Sequence, residues 1–128
     1  MKELGASNKV DVSQKGRFVK KMFQAVETAN VGLMKDILDR YTRQDEYNLI
    51  RDSSGNTMVA LAALHGDHEM IKLLVANGFD PNIPNNAGDT PLHHAIVGEK
   101  IKCVDVLVQL GVNEKHKNNK GIIPWELS

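Results

Sequence analysis

The sequence predicts an all-α solenoid of stacked helix-turn-helix units, and three observations carry that prediction. The first is self-similarity. Asp52-Ser53-Ser54-Gly55-Asn56-Thr57, Ala62-Ala63, Ile71, Leu73-Leu74 and Gly78-Phe79-Asp80 are answered 33 residues later by Asn86-Ala87-Gly88-Asp89-Thr90, Ala95-Ile96, Val104, Val106-Leu107 and Gly111-Val112-Asn113. A fixed period of this length marks units that cannot bury their apolar face alone and must stack on a neighbour. The second is helical spacing of apolar residues, and the third is the recurrence of glycine and capping residues at fixed places in each period. Such an array presents an extended, preformed surface rather than an enclosed pocket, so its expected work is to hold another macromolecule.

Taken in order, residues 1–17 are polar and without sustained period, which predicts a flexible tail. Residues 18–50 form a degenerate N-terminal capping repeat. Its first helix carries Phe18, Met22, Ala25-Val26 and Ala29, and its second carries Val31, Met34, Ile37-Leu38 and Tyr41. Ala25 precedes its counterpart Ala62 by 37 residues rather than 33, so four extra residues are expected in a surface loop near Tyr41 to Glu46, where extra length costs little.

Residues 51–84 and 85–117 are full repeats. Gly55 and Gly88 sit in tight turns beside residues suited to them. Thr57 and Thr90 are placed to cap a helix, and Pro91 follows at the first helical position, where its missing N–H costs nothing. Ala62, Ala63 and Ala95 let neighbouring helices approach closely. Gly66 ends the first helix of its repeat, and Glu69 to Ala76 form the second, closed by a left-handed Gly78. Residues 118–128 begin a further repeat that stops after its first helix. Trp125 aligns with Leu92 and Val59, so it is expected in the core. The apolar flank left beside it is expected to meet more of a longer natural chain, or another chain, including a second copy.

Composition narrows the function classes. The 128 residues hold 16 Lys and Arg against 16 Asp and Glu, so no net field gathers nucleic acid or an anionic membrane. No apolar run approaches the roughly 20 residues that cross a bilayer. The first residues lack the pattern of a secretory signal, and the single cysteine, Cys103, fits a reducing cytoplasmic or nuclear setting.

Catalysis finds little support in the sequence. His93 and His94 point about 100° apart on a helix and cannot share one ligand geometry, and His65 and His68 straddle a helix end. No His-Glu-x-x-His, Cys-x-x-Cys or acidic calcium loop is present. Neither a catalytic residue, nor a metal, nor a cofactor is expected. Cys103 aligns with Met70 and is expected to be buried and unreactive. Gly55, Gly88 and Gly121 recur with the period as turn glycines, and Lys115-His116-Lys117 with Lys120 reads as a solvated turn.

The segment Gly88-Asp89-Thr90-Pro91-Leu92-His93-His94-Ala95, the closing Gly78-Phe79-Asp80-Pro81-Asn82 and the period together resemble the ankyrin repeat family, from about Phe18 to Ser128. The resemblance implies hairpin-like turns along one edge, with His93 bonding turn backbone between repeats. It implies a protein partner, bound by turn tips and exposed first-helix positions. Carried over by position these are Glu27 and Thr28, then Ser53, Ser54, Asn56, Leu64 and His65, then Asn86, Ala87, Asp89 and Val97, and finally Asn119, Lys120 and Ile122. Within that set the row Glu27, Leu64, Val97 holds two apolar residues that the stacked core should not need. The middle repeat reads Thr57-Met58-Val59-Ala60, without the proline and histidine of the family's box, and is expected to be softer. By the same resemblance Asn82 matches a position open to asparagine hydroxylation. An inhibitory or regulatory subunit that blocks an enzyme is the alternative to a passive scaffold.

Overall fold

A computed structural model describes residues 12–128, and among them there are seven α-helices and no strand. The helices are α1 (Val12–Glu27), α2 (Val31–Arg40), α3 (Gln44–Tyr47), α4 (Met58–His65), α5 (His68–Ala76), α6 (Pro91–Val97) and α7 (Ile101–Gln109), followed by one 3-10 turn at Pro124–Leu127. Helices α1, α4 and α6 stack side by side as an inner layer that the last turn extends, and α2, α5 and α7 form the outer layer. The core runs between the layers through Met22, Ala25, Met34, Ala62, Met70, Ile71, Leu74, Leu92, Ala95 and Leu107, all at 1% exposure or less.

Local chemistry sets the helix ends, with Thr57 and Thr90 capping as expected and Asn30 and Asp67 capping as well. The Asn30, Thr57 and Asp67 side chains accept from the amides of Leu33, Ala60 and Met70 at 2.9, 3.3 and 3.2 Å. Thr90 and His93 close a reciprocal box. Gly55 and Gly88 share φ 82°. Their glycine identity is also steric, since a Cβ on Gly88 would lie 2.6 Å from the Asn119 amide nitrogen.

Each inner-layer helix is followed by one residue in the left-handed region: Ala29 (φ 54°), Gly66 (φ 77°) and Glu99 (φ 56°). Only the middle repeat places glycine there. A side chain in this region costs roughly 1–2 kcal/mol, and glycine's extra unfolded-state freedom offsets part of it. Glu99→Gly is therefore expected to raise stability by about 0.5–1 kcal/mol, read from the urea midpoint at constant m-value; a lower midpoint would show that the Glu99 side chain contributes more than its backbone costs.

Three features differ from the sequence expectation. Helix α1 begins at Val12 rather than Phe18, reaching six residues into the segment read as a tail. Apolar periodicity starts at Phe18, but the polar residues before it continue the helix, and Lys15 pairs with Glu46 at 3.0 Å. The rest of the expected tail, residues 1–11, lies outside the described residues.

The second difference is the insertion, which is not a solvated loop. It folds into α3 and places Tyr41 and Tyr47 in the core at 0% and 1% exposure. Phe18 stacks on Tyr41 at 5.5 Å, Tyr41 meets Tyr47 edge-on at 6.1 Å, and Tyr47 stacks on Phe79 at 4.3 Å. The Tyr47 hydroxyl donates to the Tyr41 carbonyl, and the Tyr41 hydroxyl to Glu46, each at 2.6 Å. Burial first, and then the bond to Glu46, raises the Tyr41 phenol above its ordinary value. Reciprocally, the Tyr41 bond and then the Lys15 contact hold the Glu46 carboxyl below the ordinary carboxylate value.

Trp125 is the third difference. It is 42% exposed, while its neighbour Pro124 is buried. A single 3-10 turn with no second helix packed over it leaves the indole half covered, its Nε1 donating to Glu114 at 2.9 Å.

Candidate protein-binding face

The edge of the array is built from three turns of one design. Asp52 Oδ1 accepts from the amides of Ser54 and Asn56 at 2.9 and 2.8 Å, Asn85 Oδ1 from Ala87 and Asp89 at 2.9 and 3.0 Å, and Asn118 Oδ1 from Lys120 and Ile122 at 2.9 and 3.0 Å. Backbone bonds then tie each turn to the one before, from Asn86 N–H to Ser54 and from Asn119 N–H to Ala87, both at 3.0 Å. Most local polar groups are thereby satisfied, so little ordering remains to be done when a partner arrives.

Behind these turns, the paired histidines of α6 fasten the array in opposite directions. His93 is 1% exposed. Its Nδ1 accepts from the Thr90 amide at 3.0 Å, which leaves the proton on Nε2, 2.9 Å from the Ile122 carbonyl of the last turn. That is the bridge to turn backbone implied by the family resemblance. His94 reaches the other way, its Nε2 lying 3.1 Å from Asn56 Oδ1, which also accepts from Asn85 Nδ2 at 3.0 Å. The 100° separation that rules out a shared ligand thus directs one ring to each neighbour. The middle repeat has Ala60 where α6 has His93, and its junction with the next repeat is held by His94 and Asn85 instead.

Burial lowers the His94 pKa below its ordinary value of 6.5, against the partial opposition of Asp89 and Asp52. The unfolded chain then binds a proton that the folded chain does not, between the lowered value and about 6.5. This contribution to stability is fully present above about pH 6.5 and is lost as pH falls through the folded value. His94→Gln, which keeps an amide donor toward Asn56, is expected to show a smaller fall in urea midpoint between pH 7.5 and 5.5 than the parent. An equal fall in both would assign the loss to other groups.

Of the residues carried over as contacts, Glu27, Thr28, Ser53, Ser54, His65, Asn86, Ala87, Asn119 and Lys120 are exposed, and Asp89 and Ile122 are half-buried. Asn56 is a correction. It is only 7% exposed, because its amide is used on both sides, by Asp52 at 3.2 Å and by Asn85 and His94. It orders the turn and has little surface to offer.

Leu64 and Val97 are open, at 41% and 62% exposure. They border a concavity of about 190 Å³ with Asp89, His93, His94, Gly98 and Leu127. A second concavity of about 400 Å³ continues through Asp89, Val97 and Leu127 to Ala87, Asn118, Asn119, Lys120 and Ile122. Seven of the carried-over residues therefore share one trough, whereas Glu27, Thr28, Ser53, Ser54, His65 and Asn86 do not line it. Sequence reasoning missed His94 and Leu127. They align with each other at the 33-residue period, and that register was the signal that could have found them.

Other sites are unremarkable chemically. Cys103 is buried, and burial first, then Asp67, pushes its thiol up to about 11. Asn82 is exposed, with its Oδ1 accepting from the Asn113 amide at 2.7 Å. Among the described residues no group of three or more His, Cys, Asp or Glu could hold a metal ion, and no helix is long and apolar enough to cross a membrane.

Side-by-side helical hairpins and cross-tied turns define a helical repeat protein. The chain belongs to the ankyrin repeat family: the family model described as "Ankyrin repeats (3 copies)" matches residues 22–119. It is 29% identical over 94 residues to the "Nuclear factor NF-kappa-B p110 subunit" of Drosophila melanogaster, covering 73% of this chain and 9% of that protein. It is 37% identical over 71 residues to the "RelA-associated inhibitor" of Mus musculus, covering 54% of this chain and 9% of that protein. A 35% identity over 52 residues relates it to "Apoptosis-stimulating of p53 protein 2" of Homo sapiens, covering 41% of this chain and 5% of that protein. The chain spans under a tenth of the length of each of these three relatives. Ankyrin repeats are in general protein-interaction modules, and members of the family are typically not enzymes.

Proposed function

We propose that this chain binds another intracellular protein along the trough between α6 and the turn tips, with Leu64, Val97 and Leu127 as the apolar contact. The observation that carries this reading is the exposure of Leu64 and Val97 on one preformed concavity whose rim is already fixed by hydrogen bonds. Apolar side chains that the stacked core does not use, gathered on one face, mark a contact surface. The tips at Ser53, Ser54, Asn86, Asn119 and Lys120 extend the contact as its polar rim.

The test is the double variant Leu64→Glu, Val97→Glu, titrated against a purified partner recovered with the parent protein. Apolar residues central to an interface cost about 2 kcal/mol or more when disrupted, so affinity is expected to fall about 30-fold or more while the melting temperature stays within about 2 °C. Undiminished affinity would remove the trough from the interface, and loss of folding would show that both residues belong to the core. A regulatory role is supported by the likeness to the RelA-associated inhibitor. It predicts that the recovered partner, if an enzyme, loses activity in proportion to its occupancy.

A further inference from the structure

Resting on that reading, we infer that the segment docking in the trough is a peptide stretch that places one branched aliphatic side chain next to an arginine or lysine. The inner concavity, at about 190 Å³, has room for one side chain, and the chain that carries it can continue along the outer one. Leu64, Val97 and Leu127 supply the aliphatic part of a lining that also holds His93, His94 and Asp89, and that part favours an aliphatic occupant.

Charge selects the neighbour. Asp89 and Lys120 are the charged residues along the two concavities. Lys120 is exposed on the rim, where solvent and salt screen it. Asp89 is half-buried at the point the two concavities share. Its Oδ1 accepts from Asn118 Nδ2 at 2.9 Å, and no other side chain among the described residues donates to it. A carboxylate can accept about four hydrogen bonds, so most of this one's capacity is left unused by the side chains around it, at a residue that lines both concavities. An anion in that position favours a cation and disfavours an acidic side chain, and it does so within reach of the aliphatic slot. A guanidinium gains most, since its fork matches a carboxylate.

A random peptide library displayed on phage, selected on the 128-residue protein, tests the inference directly. Enriched sequences are expected to share Leu, Ile or Val within two residues of Arg or Lys. Asp89→Asn keeps an oxygen for Asn118 and removes the charge. It is expected to weaken the selected peptides about 10-fold and to abolish the basic preference on reselection, while Lys102→Ala, exposed on α7 of the outer layer and away from the trough, leaves both unchanged. Enrichment of acidic residues, or indifference to Asp89→Asn, overturns the inference. If those same peptides are still lost with Val97→Glu, binding in the trough stands without its cation. Peptides indifferent to Val97→Glu as well, or no enrichment above a blank surface, overturn both readings. Thermal melting of each variant confirms that it is folded before it is scored.

Discussion

Tyr47→Ala is expected to lower the unfolding free energy by about 3–5 kcal/mol, the range for truncating a large buried aromatic. Against a total of about 5–15 kcal/mol for a domain of this kind, that leaves a marginal protein. The side chain is 1% exposed, stacks on Phe79 at 4.3 Å and meets Tyr41 edge-on at 6.1 Å. Truncation removes both ring contacts and opens a cavity between the capping repeat and the next. It also deprives the Tyr41 carbonyl of a 2.6 Å hydrogen bond. Tyr47→Phe separates these causes, since it keeps the ring and removes only the hydroxyl, for about 1–2 kcal/mol. Urea unfolding followed by circular dichroism gives both values. A loss below about 1 kcal/mol for the alanine variant would mean that the insertion merely leans on the repeats.

His93→Ala is the second large effect, and its cause is polar rather than apolar. The imidazole is the partner of two groups at once, the Thr90 amide and the Ile122 carbonyl. Removing it strands the buried Thr90 amide and leaves the half-buried Ile122 carbonyl without its donor, at about 1–3 kcal/mol each. The expected loss is about 2–5 kcal/mol, with amides of residues 118–128 losing hydrogen-exchange protection before those of α4 and α5. Simultaneous loss of protection throughout the chain would mean that the last turn is not a separable unit. Ala60 shows that a repeat can do without this histidine, but there His94 and Asn85 hold the junction from the following repeat.

The repeat design was legible because its determinants are local and recur. Thr57, Thr90, Gly55, Gly88 and Pro91 act through backbone geometry within a few residues, and a fixed period exposes them. The role of His93 was readable for the same reason, through its resemblance to a known box. What escaped depends on which neighbour covers a residue. Arg43, Gln44, Asp45 and Glu46 look like a solvated loop, yet they lie between two tyrosines whose burial is decided by Phe18 and Phe79, far away in sequence. Trp125 stands in a core register, but register does not supply the second helix that would cover it. Asn56 occupies a tip position and is enclosed by side chains from the next repeat. Of the candidate contacts, Leu64 and Val97 were legible as apolar residues the core does not need. Their meeting with Leu127 in one trough required the three-dimensional stack.

The cross-ties between turns also govern how the length of this molecule can change. Asn86 Nδ2 reaches the Ser53 carbonyl and Asn119 Nδ2 the Asn86 carbonyl, each across 33 residues, and Arg51 spans the same count to Pro84. One residue added or deleted between a pair of these anchors would put the ties that span it out of step with their acceptors. The extra residues between Tyr41 and Tyr47 escape this because they precede the first anchor. From Arg51 onward, chain length is therefore quantised: variants of this scaffold can gain or lose whole modules far more readily than single residues.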